Sequence, residues 1–348
     1  MRRHGNLWQQ ITSQENIRQA FIQAKKGKGF LHGVRRFQKD ENNNLRKVRE
    51  MLIDKTFTTS AYTTKYIYEP KKRQIYALPF SPDRIVQHAL MQVIIPIWEG
   101  LFIHDSYACR KGKGMHKGSQ KTMQYVRKYK YCLKCDISKF YPSVDHQVLL
   151  QIIKKKIKCK DTLWLIENII HSMPGGKNVP IGNYTSQWFG NLYMNELDQW
   201  LKHEKKFSSF VRYCDDFVLF SDNKKELNAM ASEIKDFCDQ RLKMKLSKCS
   251  VFPVSHGVDF LGYRHFNNYI LLRKSTSKRV KKRLHKLPGQ FNEGEITFEQ
   301  FRSSVASTIG WLKWAKTHNL KRSLNIPQLM QMLWSRNDSA ISQQKAVA

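Results

Sequence analysis

Apolar residues recur at helical spacing through much of the chain and alternate at strand spacing in a few short stretches, and together they predict a mixed α+β protein. Residues 1 to about 60 are mostly polar and helical in character, with a basic Lys-Lys-Gly-Lys-Gly run and turn-prone Asn42 to Asn44. From Tyr66 to Leu78 the pattern alternates around Glu69-Pro70-Lys71-Lys72-Arg73, predicting two short strands joined by a basic turn. A helix is predicted from Ser81 to Trp98, with Ser81 as its cap and Ile85, Ala89 and Val93 near one face.

Beyond Cys132 the pattern predicts a strand at 133–137, helices at 147–156, 161–172 and 185–202, a hairpin at 210–221 and a helix at 224–241. Short strands follow around Phe260 to Tyr263 and Tyr269 to Leu272. Basic helices take over from Arg273, and the segment from Asn337 onward has the composition of a frayed end. Strands and helices alternate without the regular repeat of a doubly wound sheet.

The 348 residues suffice for one large multilobed unit or two to three subdomains, because single cores stop growing near about 250–300 residues. A hydrophobic content of 41% and an aromatic content of 12% exclude a disordered chain. Sixty-one Lys and Arg against 28 Asp and Glu leave a formal charge of +33, spread along the chain. A polyphosphate backbone is the natural partner, since neutralising it releases condensed counterions. The longest apolar run, Ala89 to Trp98, is broken by Gln92 and Pro96, and the Met-Arg-Arg-His-Gly start lacks a signal peptide's apolar segment. We therefore expect a cytoplasmic protein with no membrane partner. Seven cysteines form no evenly spaced framework, and Cys132 and Cys135, three apart on a strand, point to opposite faces and cannot chelate one zinc ion.

The sharpest local signal is Phe210-Val-Arg-Tyr-Cys-Asp215-Asp216-Phe-Val-Leu-Phe220, two apolar strands flanking an acidic turn. Adjacent carboxylates repel, so a hairpin that presents them suits a cation with a taste for hard oxygen ligands such as Mg²⁺. Taken alone, the pair reads more readily as a solvated turn. In Leu133-Lys-Cys-Asp136-Ile-Ser-Lys-Phe-Tyr141-Pro a lone acid ends another apolar strand, and alone it reads as a cap. Brought together, three carboxylates could hold two ions about 3.5–4 Å apart.

The Asp136 segment, Pro180-Ile-Gly-Asn-Tyr-Thr-Ser-Gln187 and Tyr213-Cys-Asp-Asp216 resemble, in order and spacing, the palm motifs of reverse transcriptases. Arg73, Asp83-Arg-Ile-Val-Gln-His-Ala-Leu90, Ser106 to Gly114 and Phe260-Leu-Gly-Tyr263 extend the resemblance over about residues 60 to 320. Where many such enzymes read Gln-Gly-x-x-x-Ser-Pro, this chain has Ile181-Gly-Asn-Tyr-Thr-Ser-Gln187, which resembles the enzymes of diversity-generating retroelements, as does Gly310-Trp-Leu-Lys-Trp-Ala-Lys-Thr-His-Asn319.

The resemblance implies a right-hand polymerase. Fingers would fall in residues 1–115, a palm in 116–265 with about 150–178 contributing to the fingers, and a helical thumb in 266–348. It implies copying of a template-repeat RNA into cDNA with errors opposite adenines, two Mg²⁺ ions (or Mn²⁺ in their place), deoxynucleoside triphosphates, an RNA–DNA duplex and a small accessory protein. Asp136, Asp215 and Asp216 would be catalytic, ligating metal together with the Ile137 carbonyl. Arg73, Lys71, Lys72, Lys139, Phe140, Tyr141, Ile181, Gly182 and Gln187 would bind the nucleotide, Tyr141 excluding a 2′-hydroxyl. The residues themselves leave core packing open for Tyr141 and Ile181. Arg110, Lys278, Arg279 and Lys282 would bind nucleic acid, the last three within eight basic residues uninterrupted by an acid. A retron-like or antiphage-defence enzyme and a non-catalytic RNA-binding scaffold are the alternatives.

Overall fold

The computed structural model describes residues 3–68, 72–326 and 329. Lys71 and the segment from Asn337 lie outside them. The predicted mix of helix and strand is present: β1 (Thr63–Ile67) and β2 (Arg73–Ala77) form an antiparallel hairpin, and β3 (Tyr131–Ile137), β4 (Phe210–Tyr213), β5 (Asp216–Ser221) and β6 (Leu246–Pro253) form a sheet of order β4-β5-β3-β6. The described chain divides into two compact units.

The first unit comprises residues 1–114, 134–217 and 228–250, and so contains the three expected acids and every described nucleotide-binding position expected from the sequence. Its amino-terminal part is helical, as the polar pattern predicts, with helices Gln14–Lys25 and Glu41–Ile53. Ser13 caps the first by accepting from the Asn16 amide, and its buried stripe, Ile17, Ala20, Phe21 and Ala24, follows helical spacing. Phe21, Phe37 and Phe80 then form one aromatic knot, with centroids 5.0–6.1 Å apart.

The helix expected from Ser81 begins later, at Ile85, and runs to Glu99. Ser81 has extended backbone inside a separate turn, Phe80–Arg84, and makes no side-chain cap. The reason lies in Asp83, which is fully buried and accepts from the Ser60 amide, tying the turn to an earlier segment instead of to the helix. The helices His146–Lys154, Lys160–His171 and Lys224–Leu242 match their expected ranges to within one or two residues. Tyr184–Gln199 is the most deeply buried, with Trp188, Phe189, Leu192, Tyr193 and Leu197 all in the core.

The second unit, residues 115–133, 218–227 and 251–348, holds helix Met115–Lys128, an antiparallel sheet of β7 (Val258–Phe260), β8 (Tyr263–His265) and β9 (Ile270–Leu272), and helices Lys274–Asn292 and Phe298–Leu312. Its helical core joins Leu284, Leu287, Phe301, Val305 and Leu312. Trp311 stacks on the buried Tyr263 with centroids 5.3 Å apart, as core packing predicts. Trp314 instead remains 40% exposed and stacks on His116. Among the described residues no helix is long and apolar enough to cross a membrane.

Candidate active site

In β3 the side chains of Leu133, Cys135 and Ile137 are buried while Lys134 and Asp136, two apart, stay half-exposed on the other face. Asp136 accepts from the Ser247 hydroxyl at 2.6 Å, and the same hydroxyl contacts the Asp136 carbonyl at 3.1 Å. β5 neighbours β3, and its first residue, Asp216, sits 3.7 Å from the Lys134 ammonium. Asp136 and Asp216 thus lie on adjacent strands, each with a polar companion that the motif reading overlooked.

Between β4 and β5 the chain reverses through Cys214 and Asp215. Cys214 takes a left-handed φ of +59°, unusual for a residue with a side chain. What holds it is Arg212, wholly buried, whose Nη1 donates to the Cys214 carbonyl at 2.9 Å. The guanidinium is fixed by Asp198, itself fully buried, through bonds of 2.7 and 2.5 Å, and by the Ser106 hydroxyl at 3.0 Å. The Arg212 backbone is bound as well, its amide to the Asp105 carbonyl and its carbonyl to the Tyr107 amide. A charge in the apolar run Phe-Val-Arg-Tyr was the sequence signal for this brace; Asp198, on a distant helix, gave none.

The electrostatics of the turn follow from burial. Desolvation raises the Asp215 carboxyl above its ordinary range, the Asp136 charge raises it further, and Arg73 opposes the rise. Asp136, Asp215 and Arg73 therefore share one electrostatic neighbourhood. Burial also pushes the Cys214 thiol up to about 12 and the Tyr141 hydroxyl well above its usual value, the two groups being 3.5 Å apart.

Tyr141 and Phe140 follow a left-handed Lys139, whose φ of +45° turns the chain out of β3. They rest against Gly190, where an added Cβ would stand 2.9 Å from Phe140 and 3.3 Å from Tyr141. A mid-helix glycine is costly, and here the absent side chain is what lets both rings approach. Gly182, at φ +131°, is more constrained still, since an added Cβ would lie 2.1 Å from the Tyr76 carbonyl oxygen. Beside it the Ile181 carbonyl accepts from the Tyr76 amide at 2.8 Å. The Ile-Gly segment is thereby bonded to β2, the strand that carries Arg73. Gln187 is exposed on the helix Tyr184–Gln199, whose Ser186 hydroxyl closes the preceding loop by donating to the Pro180 carbonyl.

Other expected positions are placed differently. Arg110 has its side chain only 9% exposed, paired with Glu99 at 2.8 Å and donating to the Ile103 and Ser106 carbonyls, so its cationic head is engaged within the fold and not offered to nucleic acid. Lys72 lies over the rings of Tyr66 and Tyr68, at 5.0 and 5.9 Å from their centroids. Lys278, Arg279 and Lys282 are exposed on Lys274–Asn292, whose opposite stripe, Thr276, Leu284 and Leu287, is buried.

The donors offered by Asp136, Asp215 and Asp216 are hard oxygens, and the like-charge pressure between Asp136 and Asp215 is what a divalent cation relieves. Among the described residues no three His, Cys, Asp or Glu side chains converge into a ready-made metal site. Asp216 faces the Lys134 ammonium at 3.7 Å.

Residues 65–265 match the profile of the reverse transcriptase (RNA-dependent DNA polymerase) family. Similarity extends to Protein YkfC of Escherichia coli (strain K12), 25% identical over 249 residues, covering 57% of this chain and 65% of that protein. The group II intron-encoded protein LtrA of Lactococcus lactis subsp. cremoris is 22% identical over 318 residues, 69% of this chain and 52% of its own. Nuclear intron maturase 1, mitochondrial, of Arabidopsis thaliana is 28% identical over 90 residues, 26% of this chain and 13% of its own. The chain thus spans less than two thirds of the length of these relatives.

Proposed function

This chain belongs to the reverse transcriptase family, and on that premise we propose that it is an RNA-directed DNA polymerase that joins deoxynucleotides to a primer on an RNA template. The observation that carries the reading is the placement of Asp136 and Asp216 on the adjacent strands β3 and β5, with Asp215 in the turn that opens β5, in the same compact unit as Arg73. Asp136, Asp215 and Asp216, with the Ile137 carbonyl, would hold two Mg²⁺ ions. Such ions activate an attacking hydroxyl and stabilise a leaving pyrophosphate.

The chain's own residues do the rest. Arg73, at the start of β2, receives the triphosphate, and the bond between Tyr76 and Ile181 fixes that strand against the Ile181-Gly182 segment. The Lys139 and Phe140 amides face phosphate from the turn after β3. Tyr141 is locked by Gly190 behind it and Cys214 beside it, a rigid wall suited to refusing a ribose 2′-hydroxyl. The Arg212 brace sets the turn that presents Asp215. On the second unit, Lys278, Arg279 and Lys282 track the duplex backbone, an interaction sensitive to salt and indifferent to sequence. Fingers, palm and thumb would occupy residues 1–115, 116–265 and 266–348.

Within the family, Ile181 and Gln187 support a diversity-generating retroelement enzyme that copies a template-repeat RNA with errors at adenines and works beside a small accessory protein in the bacterial cytoplasm. An intron-associated enzyme is the second reading, favoured by the printed names of the intron-encoded relatives. Flanking DNA separates them: a template and variable repeat pair belongs to the first, intron sequence to the second. For the activity itself, protein with Mg²⁺, primed RNA and labelled deoxynucleotides is expected to extend the primer, and Asp215→Asn is expected not to. Extension by Asp215→Asn at the wild-type rate refutes the site.

A further inference from the structure

β3 and β6 meet at a second pair of groups, apart from the acids. Cys135 on β3 is wholly buried, Cys249 on β6 is exposed, both are reduced, and their sulfurs stand 3.5 Å apart. Burial of Cys135 needs no explanation, since a thiol packs as a small apolar group. Its exposed neighbour has no such reason to be a cysteine. β6 is the outer strand of the sheet β4-β5-β3-β6, so a reagent in solvent meets Cys249 first. The Cys249 thiol also lies 3.9 Å from the Ala231 carbonyl of helix Lys224–Leu242, which keeps it over the strand pair. Cys132, three residues back on β3, points to the other face.

The register joins this pair to the site. Cys249 meets Cys135 and Ser247 donates to Asp136, so β6 advances two residues where β3 advances one. The Ser138 amide, bonded to the Lys245 carbonyl, continues the new register. Lys248 is thus the extra residue of a bulge, a device that re-aims neighbouring side chains and is common beside active sites. One peptide bond separates Cys135 from the proposed metal ligand Asp136, and Cys249 stands two residues from the hydroxyl that Asp136 accepts from.

We propose that Cys135 and Cys249 are a modification site, closing to a disulfide on exchange with a small-molecule disulfide oxidant and slowing primer extension while closed. The Cys249 sulfur, as thiolate, attacks one sulfur of the reagent, forming a mixed disulfide and expelling one small thiolate. Cys135 then attacks the Cys249 sulfur, forming the protein disulfide and expelling the second. Each departing thiolate takes up the proton its attacker released, so two protein thiols are oxidised and one reagent disulfide is reduced to two thiols. Cys249 suits the first attack: the hydrogen bond from Cys135 holds its thiol below the ordinary range, burial opposing and Lys235 assisting. Cys238, pushed up to about 12 by burial and by the Cys249 charge, is the poorer attacker. Closure must bring the sulfurs together by roughly 1.5 Å. The edge strand yields, because Cys135 is packed in the core, and it carries Ser247 with it. A reacting geometry displaced by about 1 Å loses on the order of a hundredfold in rate, so with the shift shared between strands a fall of roughly tenfold or more is expected. The slowing rests on the polymerase reading; formation of the bond does not.

The test equilibrates the whole chain in reduced and in oxidised glutathione, blocks remaining thiols, and maps linked peptides by mass spectrometry, with primer extension measured on the same samples. The oxidised wild type is expected to yield a peptide pair linked through Cys135 and Cys249 and to extend roughly tenfold or more slowly, with the rate restored by dithiothreitol. Cys249→Ser, an exposed and nearly isosteric change, is expected to extend at the reduced wild-type rate in both buffers. Cys238→Ser is expected to behave as the wild type does. Absence of the link in oxidised glutathione overturns the proposal, as does a link from Cys249 to Cys238 in its place. So does a linked chain that extends at the reduced rate, and so does a loss of rate on oxidation that persists in Cys249→Ser. A chain that forms the link but extends no primer in either buffer would fault the polymerase reading and leave the disulfide assignment standing.

Discussion

Replacing Gly182 with alanine separates the geometry of the site from its chemistry, because no reacting group is touched. The new Cβ would stand 2.1 Å from the Tyr76 carbonyl oxygen, whereas real Cβ atoms essentially never come under 3.0 Å. Backbone must retreat by roughly 0.9 Å, and neither neighbour is a flexible side chain. Two costs follow. The amide–carbonyl bond between Tyr76 and Ile181, 2.8 Å long, is lost at about 0.5–1.5 kcal/mol. Holding a side chain at φ +131° adds about 1–3 kcal/mol.

The sum, roughly 1.5–4.5 kcal/mol, falls on β2, three residues from Arg73, and not on the core. A reacting geometry displaced by about 1 Å loses on the order of a hundredfold in rate. Steady-state primer extension is therefore expected to show kcat/KM for deoxynucleotides down about a hundredfold, with equilibrium affinity for primed duplex unchanged. Wild-type kinetics in a folded Gly182→Ala would refute the reasoning. So would a loss of activity that tracks only the fraction unfolded in urea.

Four other outcomes follow from the structure. Arg212→Met leaves Asp198 as a buried unpaired charge and is expected to destabilise the chain by about 3–5 kcal/mol in urea titrations, whereas Arg212→Met with Asp198→Leu regains much of the stability but not the activity. His88, stacked on Tyr184 at 4.1 Å, is pushed down to about 4 by burial and by the Lys28 and Arg84 charges. The unfolded chain therefore binds the extra proton, stability is expected to fall as pH drops from about 6.5 towards 4, and His88→Gln should flatten that slope in denaturation curves. If Ile181 contacts the incoming nucleotide as proposed and its lack of a polar group lowers discrimination, Ile181→Gln is expected to lower misincorporation opposite adenine in primer extension about tenfold; an unchanged error rate would sink that role. Lys134→Gln frees Asp216 from its ammonium partner and is expected to lower the Mg²⁺ concentration at half-maximal extension.

The elements were legible where period alone decides them. Alternation in Leu133 to Ile137 placed β3, and the continuous apolar runs flanking Asp215 placed β4 and β5, which are buried on both faces. The start of the helix at Ile85 was not legible, since Ser81 and Pro82 are good local starts and only the buried contact from Asp83 to Ser60 overrides them. In the site, the acids stood out only through the order and spacing of the three motifs, since each carboxylate alone reads as a turn or a cap. Their supports were not. Ser247, Asp198 and Gly190 act across the fold on residues far away in sequence, and nothing near them in the chain marks them. Arg110 is placed otherwise than the resemblance implies, because Glu99 and two carbonyls engage its head.

The bond from Arg212 to the Cys214 carbonyl implies that the four-residue acidic turn is not portable. Its shape is stored in Asp198, Ser106 and Asn191, none of which lies in the hairpin. Transplanting residues 210–221 into another chain would carry the acids but leave behind what bends them into place. A chimaera built from this protein must therefore take its cut points outside the span from Asp105 to Asp216, so that recipient and donor never share custody of one turn.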